Sequence, residues 1–241
     1  MGSDLPKVVH PVGGRPMVQI VAQACHAVGC SPIVAIVGHG KHHVQDALKN
    51  APGDIRFALQ AEQLGTGHAV LAAQTALQDI DPRANALVLC GDGPLIREET
   101  LRTLLSTHAN ANAAATLATA TVEDPTGYGR IVRDDQGRFA RIVEQKNATD
   151  GELAIREINP SYYCFKLGPL MEALHRVERN PKTGEYYLTD VPALLLAAGA
   201  RVEIVDAVPA EDVLSINTPE QLAQVDRIYR QRSQATRGTR Q

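Results

Sequence analysis

Short β-branched runs alternate with helix-spaced apolar residues along most of this chain, and that alternation is its strongest constraint on fold. A strand cannot meet a parallel neighbour through a two-residue turn. A crossover, usually a helix, has to carry the chain back, so a β-α-β-α order commits it to a parallel sheet covered by helices. Met17, Ile20, Val21, Ala24, Cys25 and Val28 recur at helical spacing between Pro16 and Gly29, residues suited to opening and closing a helix. Ile33 to Val37 then predicts a buried strand, "GHGKHHVQDALKN" a loop and helix, and Ile55, Phe57 and Leu59 an alternating strand. "GTGHAVLAAQTALQ" predicts a helix, "ALVLCGDGPLI" an apolar strand broken by Gly91-Asp92-Gly93-Pro94, and Leu101, Leu104 and Leu105 a further helix.

From Ala113 onward the strands lengthen: "AAATLATATV", "GRIVRD", "RFARIVEQK" and "EINPSYYCFKL", with "DDQG" as a hairpin turn. Helix ("LTDVPALLLAAG"), strand ("VEIVDAV") and a closing helix from Thr218 or Pro219 to about Arg232 complete the pattern. No internal repeat is visible. The expectation is one α/β domain, a mostly parallel sheet with helices on both faces and a β-rich insertion in its second half.

Composition removes several function classes. A formal charge of -3, with 44% hydrophobic and 21% charged residues, is ordinary for a globular protein and predicts neither a nucleic-acid nor a membrane partner. Arg227, Arg230, Arg232, Arg237 and Arg240 collect near the C-terminus, where they read as a solvated tail. No stretch reaches the roughly 18 apolar residues of a membrane span. The polar "GSDLPK" stands where a signal peptide needs an apolar run, so the cytoplasm is the expected location. Cys25, Cys30, Cys90 and Cys164 form no C-x-x-C pair and read as reduced, buried thiols.

Asp92 is the most informative single residue. It follows an apolar strand between two glycines, at the carboxyl end where open parallel sheets place ligands, although a turn aspartate capping its own backbone fits equally well. Gly65-Thr66-Gly67 opens a helix, so its N–H groups could face an anion or a base edge, or Thr66 could simply cap the helix. The glycines around Tyr128 in "DPTGYGRI" would let a ligand approach the backbone. On spacing alone Glu144 is an exposed strand residue and Asn217 part of a helix cap. His39, His42 and His43 read as a solvated helix start, because lysine interrupts them and no acid is near. No strand is followed by G-x-G-x-x-G with a downstream acid, which argues against a nicotinamide enzyme.

The blocks "SDLPKV…GGRPM", "LQAEQLGTGHA", "GDGPL", "DPTGYGRI", "IVEQKNAT", "EIN", "GEYYLTD" and "DVLSIN" occur in one order. In that order the chain, from Met1 to about Tyr229, resembles the bacterial N-acetylglucosamine-1-phosphate uridylyltransferases, the pyrophosphorylase domain of the bifunctional pyrophosphorylase/acetyltransferase family. The resemblance implies a Rossmann-like nucleotidyltransferase fold over residues 1–232, followed by a linker-like tail at 233–241. It also implies transfer of a uridylyl group from UTP to N-acetylglucosamine 1-phosphate, for cell-wall peptidoglycan and lipopolysaccharide synthesis. By the same resemblance Lys7 balances phosphate charge, Gln60, Gly65 and Thr66 read the uracil, and Cys90 and Gly91 face the nucleotide sugar. Asp92 and Asn217 hold Mg²⁺, and Gly129, Glu144 and Asn159 hold the amino sugar. Assembly as a homo-oligomer stays open.

In that family a first apolar strand and a loop ending in G-x-G-T-R-M precede the "SDLPK" block, and Met1 falls at the loop's last residue. The sequence is therefore expected to lack both, which would leave the edges of two strands unpaired inside the sheet. A fragment or a late start is the favoured reading, since every later block is intact. The alternatives are a truncated, inactive homologue that binds sugar nucleotide or a partner, and a pyrophosphorylase for another sugar phosphate. Three departures stand out: Gly93 where a larger apolar residue is usual, Cys90 where an aromatic is frequent, and Pro160-Ser161 where a small residue and glycine usually follow the asparagine.

Overall fold

The structure is a computed structural model and describes residues 5–214 and 216–238. The reading of Met1 as a loop residue, Ser3-Asp4 of "SDLPK", Ser215 of "DVLSIN" and the last three residues of the tail lie outside the described residues.

The chain enters through a 3₁₀ turn, Lys7–Val9, and a minimal hairpin of β1 (Pro11–Val12) and β2 (Arg15–Pro16) around Gly13-Gly14. Helix α1 (Met17–Ala27) buries the predicted stripe Met17, Ile20, Val21, Ala24 and Cys25. It ends as expected at Gly29, whose φ of +88° is left-handed, with the N–H of Cys30 closing on the carbonyl of Cys25. There follow β3 (Ile33–Val37), α2 (Lys41–Leu48), β4 (Ile55–Leu59), α3 (Thr66–Ala72), β5 (Asn85–Val88) and α4 (Glu98–Ala111). The second half comprises β6 (Ala115–Thr121), the hairpin β7 (Gly129–Arg133) and β8 (Phe139–Val143), α5 (Asp150–Leu153), β9 (Glu157–Lys166), α6 (Leu167–Leu174), α7 (Val191–Ala197), β10 (Val202–Asp206) and α8 (Pro219–Gly238). The closing helix thus runs past Arg232 to Gly238.

Strand β6, made of alanine, threonine and leucine, is buried along almost its whole length, pairing parallel with β10 and antiparallel with β9. Because β5 and β6 are both antiparallel to β9, strands β5, β6 and β10 share one direction and β9 is the reversed member between them. The two halves of β9 do different work: Ile158 and Asn159 pair with β7, whereas Tyr163 to Lys166 pair with β5. The change of partner falls at Pro160-Ser161, where Ser161 has a left-handed φ of +65°. A serine occupies a conformation that glycine adopts without cost, at the position where the sequence departs from the family it resembles.

Strands β3 and β4 pair parallel with each other, and among the described residues β3 has no second neighbour. The free edge of β3 lies in the same layer as the free edge of β5. Ile33, Leu87 and Leu89 pack on the cluster containing Val21, Ala24 and Cys25, while Ile36 and Val88 pack on that containing Val70 and Leu117. Side chains of β3 and β5 thus share a cluster on each side.

Two details correct the sequence reading. On β4 it is Ala58 that is buried, while Phe57 and Leu59 are exposed, since this short strand has a partner on one edge only. Of the cysteines, Cys25 and Cys164 are buried, but Cys90, which lies beyond the end of β5, is exposed and Cys30 intermediate.

Candidate active site

Three distant segments meet beyond the carboxyl end of β5. Lys7 comes from the first 3₁₀ turn, Asp92 from the Gly-rich bend after β5, and Asn217 from the residues before α8. The Lys7 ammonium lies 2.7 Å from Asp92 Oδ2 and donates to Asn217 Oδ1 at 3.4 Å. The lysine and aspartate side chains are each about a third exposed, at 35% and 34%, so the cluster opens to solvent. A single cation between a carboxylate and an amide oxygen marks a place where positive charge is stabilised from two sides. Asn217 is not spent on capping α8. Gln221 accepts from the N–H groups of Asn217 and Thr218, and Thr218 Oγ1 accepts from the N–H of Gln221, a capping box that leaves the Asn217 side chain to face Lys7.

Gly91, Cys90 and Gly93 surround this cluster. A Cβ on Gly91 would meet Val8 and Val18 at ordinary contact distance, whereas one on Gly93 would stand 3.0 Å from the hydroxyl of Tyr162. The buried Tyr162 ring fills the space that a larger residue at position 93 would take, which accounts for that departure. Crowding by the cleft wall, and then the Asp92 carboxylate, hold the Cys90 thiol above the ordinary thiol range even though the residue is open to solvent.

Gln60, Gly65 and Thr66 lie on a different wall. Gln60 follows β4 and borders an open cleft of about 770 Å³ formed by Gly38 to His42, Leu59 to Ala61 and Gln63. Its amide donates to the Gly65 carbonyl at 3.0 Å. Thr66 does not cap the helix that the glycine-rich turn opens. Gly67 N–H donates to Tyr186 O (2.8 Å), Tyr186 N–H to Leu64 O (2.8 Å), and Thr66 Oγ1 accepts from Leu188 N–H (3.0 Å). The turn is thus zipped to the strap 185–190, and Thr66 anchors the strap instead of capping α3. The Tyr187 hydroxyl donates to Thr183 Oγ1 at 2.7 Å.

Gly129, Glu144 and Asn159 come together at the insertion. Gly129 is the register partner of Asn159 across β7 and β9, and a Cβ on Gly129 would lie 3.7 Å from Glu144 Oε1. Asn159 is buried; its Nδ2 donates to Tyr163 Oη at 2.6 Å, and its Oδ1 accepts from Ser161 N–H at 3.2 Å. Glu144 is not an exposed strand residue. It sits just beyond β8 before a 3₁₀ turn, accepts from Thr189 Oγ1 at 2.9 Å, and has its carboxyl pushed above the usual range by burial. Asp190 is raised for the same reason. Leu188 and Thr189 are consecutive, so a single strap holds both the Thr66 turn and Glu144.

The sequence reading missed Thr189, Asp190 and Tyr162, each made significant by distant contacts. It also took Arg232 for a solvated residue, whereas this arginine is paired with the buried Asp212. His39 and His42 line the open cleft, and among the described residues no group of three or more His, Cys, Asp or Glu could hold a metal ion. No helix among them is long and apolar enough to cross a membrane.

Residues 2–233 match the model of the nucleotidyl transferase family. The chain belongs to that family. This nucleotidyl transferase is 42% identical over 232 residues to the "Bifunctional protein GlmU" of Alkaliphilus metalliredigens (strain QYMF), covering 96% of this chain and 50% of that protein. It is 46% identical over 233 residues to the protein of the same name from Halalkalibacterium halodurans, with coverage of 96% and 50%. The chain spans about half the length of the curated relatives it matches. Among solved structures, UDP-glucose pyrophosphorylase complexed with UDP-glucose superposes with a TM-score of 0.71 at 15% identity, over 94% of this chain and 91% of that one. That likeness shows the Rossmann-like sugar-nucleotide transferase fold for this nucleotidyl transferase.

Proposed function

We propose that the chain joins UTP to N-acetylglucosamine 1-phosphate, giving UDP-N-acetylglucosamine and pyrophosphate, in the bacterial cytoplasm and for cell-envelope synthesis. The observation that carries the reading is the convergence of Lys7, Asp92 and Asn217 from three ends of the chain onto one cation-favouring point. Kinship with the bifunctional relatives supports it. Residues 1–232 would form the catalytic unit and 233–241 a tail, and a homo-oligomer is compatible with both.

One carboxylate and one amide oxygen suit Mg²⁺, which is commonly held by one or two protein carboxylates together with substrate phosphates and water. When bound there by Asp92 and Asn217, the ion would neutralise charge building on the phosphates. The rest falls to the chain's own residues. The phosphate oxygen of the sugar is already an anion and needs no protein nucleophile. It forms a bond to the α-phosphorus of UTP as the bond from that phosphorus to the pyrophosphate oxygen breaks, and the electron pair leaves on pyrophosphate. Lys7 offsets the repulsion between the two polyanions and holds them in line. Gln60, with Gly65 and Thr66 on the zipped turn, addresses the base. Glu144 and the remaining Asn159 N–H address the sugar hydroxyls and amide, with Gly129 leaving room for the ring. Because these polar groups are largely buried, a sugar lacking the matching group would leave them unpaired, which is a source of specificity.

The test is pyrophosphate release from UTP and Mg²⁺ with N-acetylglucosamine 1-phosphate or glucose 1-phosphate as acceptor. It uses the chain itself and a form preceded by an apolar strand and G-x-G-T-R loop. Turnover that prefers the amino sugar and is lost in Asp92→Ala is expected. No turnover in either form would sink the activity, and a preference for glucose 1-phosphate would sink the substrate.

A further inference from the structure

Asp212 is the one aspartate or glutamate among the described residues that is fully buried, with its side chain 1% exposed. It lies in a 3₁₀ turn, Ala210–Val213, five positions before Asn217. Two arginines from separate elements close on it. Arg97 forks it, Nε to Oδ2 at 2.6 Å and Nη2 to Oδ1 at 3.2 Å, a bidentate geometry that fixes orientation as well as charge. Arg232, on α8, donates to Oδ1 and also to the carbonyl of Leu95. Both arginines reach the exposed Glu211 at 2.6 Å.

The partners matter because of where they sit. Arg97 and Leu95 belong to the bend that carries Asp92, with Arg97 five positions after it. Arg97 is also the N-cap of α4, a position that favours Ser, Thr, Asn or Asp, and it makes no side-chain cap there. A residue poorly suited to its local role is engaged in a long-range one. On the other side, Val213 O accepts from the Tyr128 hydroxyl, and Ile216 is buried beside Leu95 and Val225. Through its two arginines Asp212 ties the bend that carries Asp92 to α8, the helix that begins just after Asn217.

We propose that Asp212, clamped by Arg97 and Arg232, is a positioning residue that sets the separation of Asp92 and Asn217 and so the affinity of that pair for a divalent cation. The inference rests on the reading of Asp92 and Asn217 as metal-holding groups. Outer residues that orient metal ligands are commonly worth 10–100-fold in affinity, and an effect at the lower end, about tenfold, is expected for a clamp acting through five residues on each side.

The test measures the dissociation constant of Mn²⁺ alone by the paramagnetic resonance of the free ion, beside the thermal midpoint, for wild type, Asp212→Asn, Arg232→Gln, Arg232→Lys and Asp92→Ala. Arg56→Gln, which opens the Arg56–Asp79 pair on β4, controls for a broken ion pair away from the site. Asp212→Asn should weaken Mn²⁺ binding about tenfold and Arg232→Gln several-fold. Arg232→Lys should recover part of the loss, and Arg56→Gln should change stability without changing Mn²⁺ affinity. If Asp212→Asn does not fold, Arg232→Gln carries the test, since it leaves the Arg97 fork intact. Wild-type Mn²⁺ affinity in the clamp variants, with Asp92→Ala having lost it, overturns the proposal alone. Unchanged affinity in Asp92→Ala overturns the metal reading and the proposal with it.

Discussion

Gly65→Ala should be among the most damaging single-methyl additions this fold can receive, and its cost can be worked from the strap. Gly65 has φ 103° and ψ 178°, a region essentially closed to residues with a side chain, which costs about 1–3 kcal/mol when forced. A Cβ there would also stand 2.6 Å from Tyr186 O and 2.9 Å from Tyr186 N, backbone atoms that cannot swing aside. The strap must withdraw, and losing two of its three hydrogen bonds to the turn removes about 2 kcal/mol more. The sum is about 3–5 kcal/mol, or a fall in midpoint on the order of 10 °C for a chain this size. Gly67→Ala is the internal control. Its Cβ would lie 3.1 Å from Tyr186 O, but the residue is helical, and alanine recovers about 1 kcal/mol over glycine in a helix. The two variants should differ by at least about 2 kcal/mol, weighing that helical gain against the strain that only Gly65 carries. The assay is urea unfolding followed by far-ultraviolet circular dichroism, since the chain has no tryptophan. Because Leu188 leads directly into Thr189 and hence Glu144, Gly65→Ala should also raise KM for the sugar phosphate. A Gly65→Ala protein within about 1 kcal/mol of wild type, or no more damaged than Gly67→Ala, would refute the reading of the turn as a packed strut.

Further outcomes follow from the packing and charge of single residues. Gly93→Leu should destabilise by about 1–3 kcal/mol through overpacking against the Tyr162 hydroxyl. Tyr162→Phe should relieve part of that cost in the double variant, and additive thermal midpoints would exclude the contact. His108 is fully buried, 2.9 Å from Thr116 Oγ1, and burial lowers it from 6.5 to about 4. Its stabilising contribution is complete above pH 6.5 and is lost as pH falls toward 4, on the order of 3 kcal/mol. His108→Gln should flatten that part of the urea-midpoint profile, and an unchanged profile would count against it. Glu144 has the opposite sign: its folded pKa is raised above the ordinary 4.5, so its contribution is present below 4.5 and lost as pH rises through the folded value. Glu144→Gln should therefore gain more stability at pH 7 than at pH 4 while losing turnover; equal gains at both would show that burial does not strain the carboxylate.

What the sequence made legible is what local periodicity encodes. Helix α1 starts after Pro16 and stops at Gly29 as its apolar spacing requires, and the run "AAATLATATV" forms the strand β6, buried between β10 and β9. Helix α6 escaped notice because Gly168-Pro169 reads as a breaker, yet both fall in its first turn, where proline gives up no hydrogen bond. The exposed face of β4 was illegible because a strand with one partner buries according to its place in the sheet, which alternation alone does not state. At the site, Asp92 could be picked out from its strand and glycines. That Lys7 and Asn217, 210 residues apart, belong to the candidate site was suggested only by family resemblance, since spacing carries no information over such a distance. Thr189 and Asp212 fall within the blocks "GEYYLTD" and "DVLSIN", but no local feature of the sequence assigns either a role.

The two sheets explain how the site is divided. Strands β3 and β4 lead directly into Gly38 and Gln60, on the wall proposed to read the base, whereas β5 leads to Asp92, four residues beyond its end, on the wall proposed to handle charge, and no ladder hydrogen bond joins β3 to β5 among the described residues. Their relative position is held from outside the sheet. Val8, Val9 and Val18 pack with Ala22, Ala35, Val37 and Val44, so the turn that carries Lys7 is seated on α1 and α2 together. Lys7 then reaches across to Asp92. On the far side, Val70 of α3 shares a cluster with Ile36 and Val88. Within each wall the geometry is rigid, fixed by the strap at 185–190 on one and by the Asp212 clamp on the other. A nucleotide bound as proposed would span both walls.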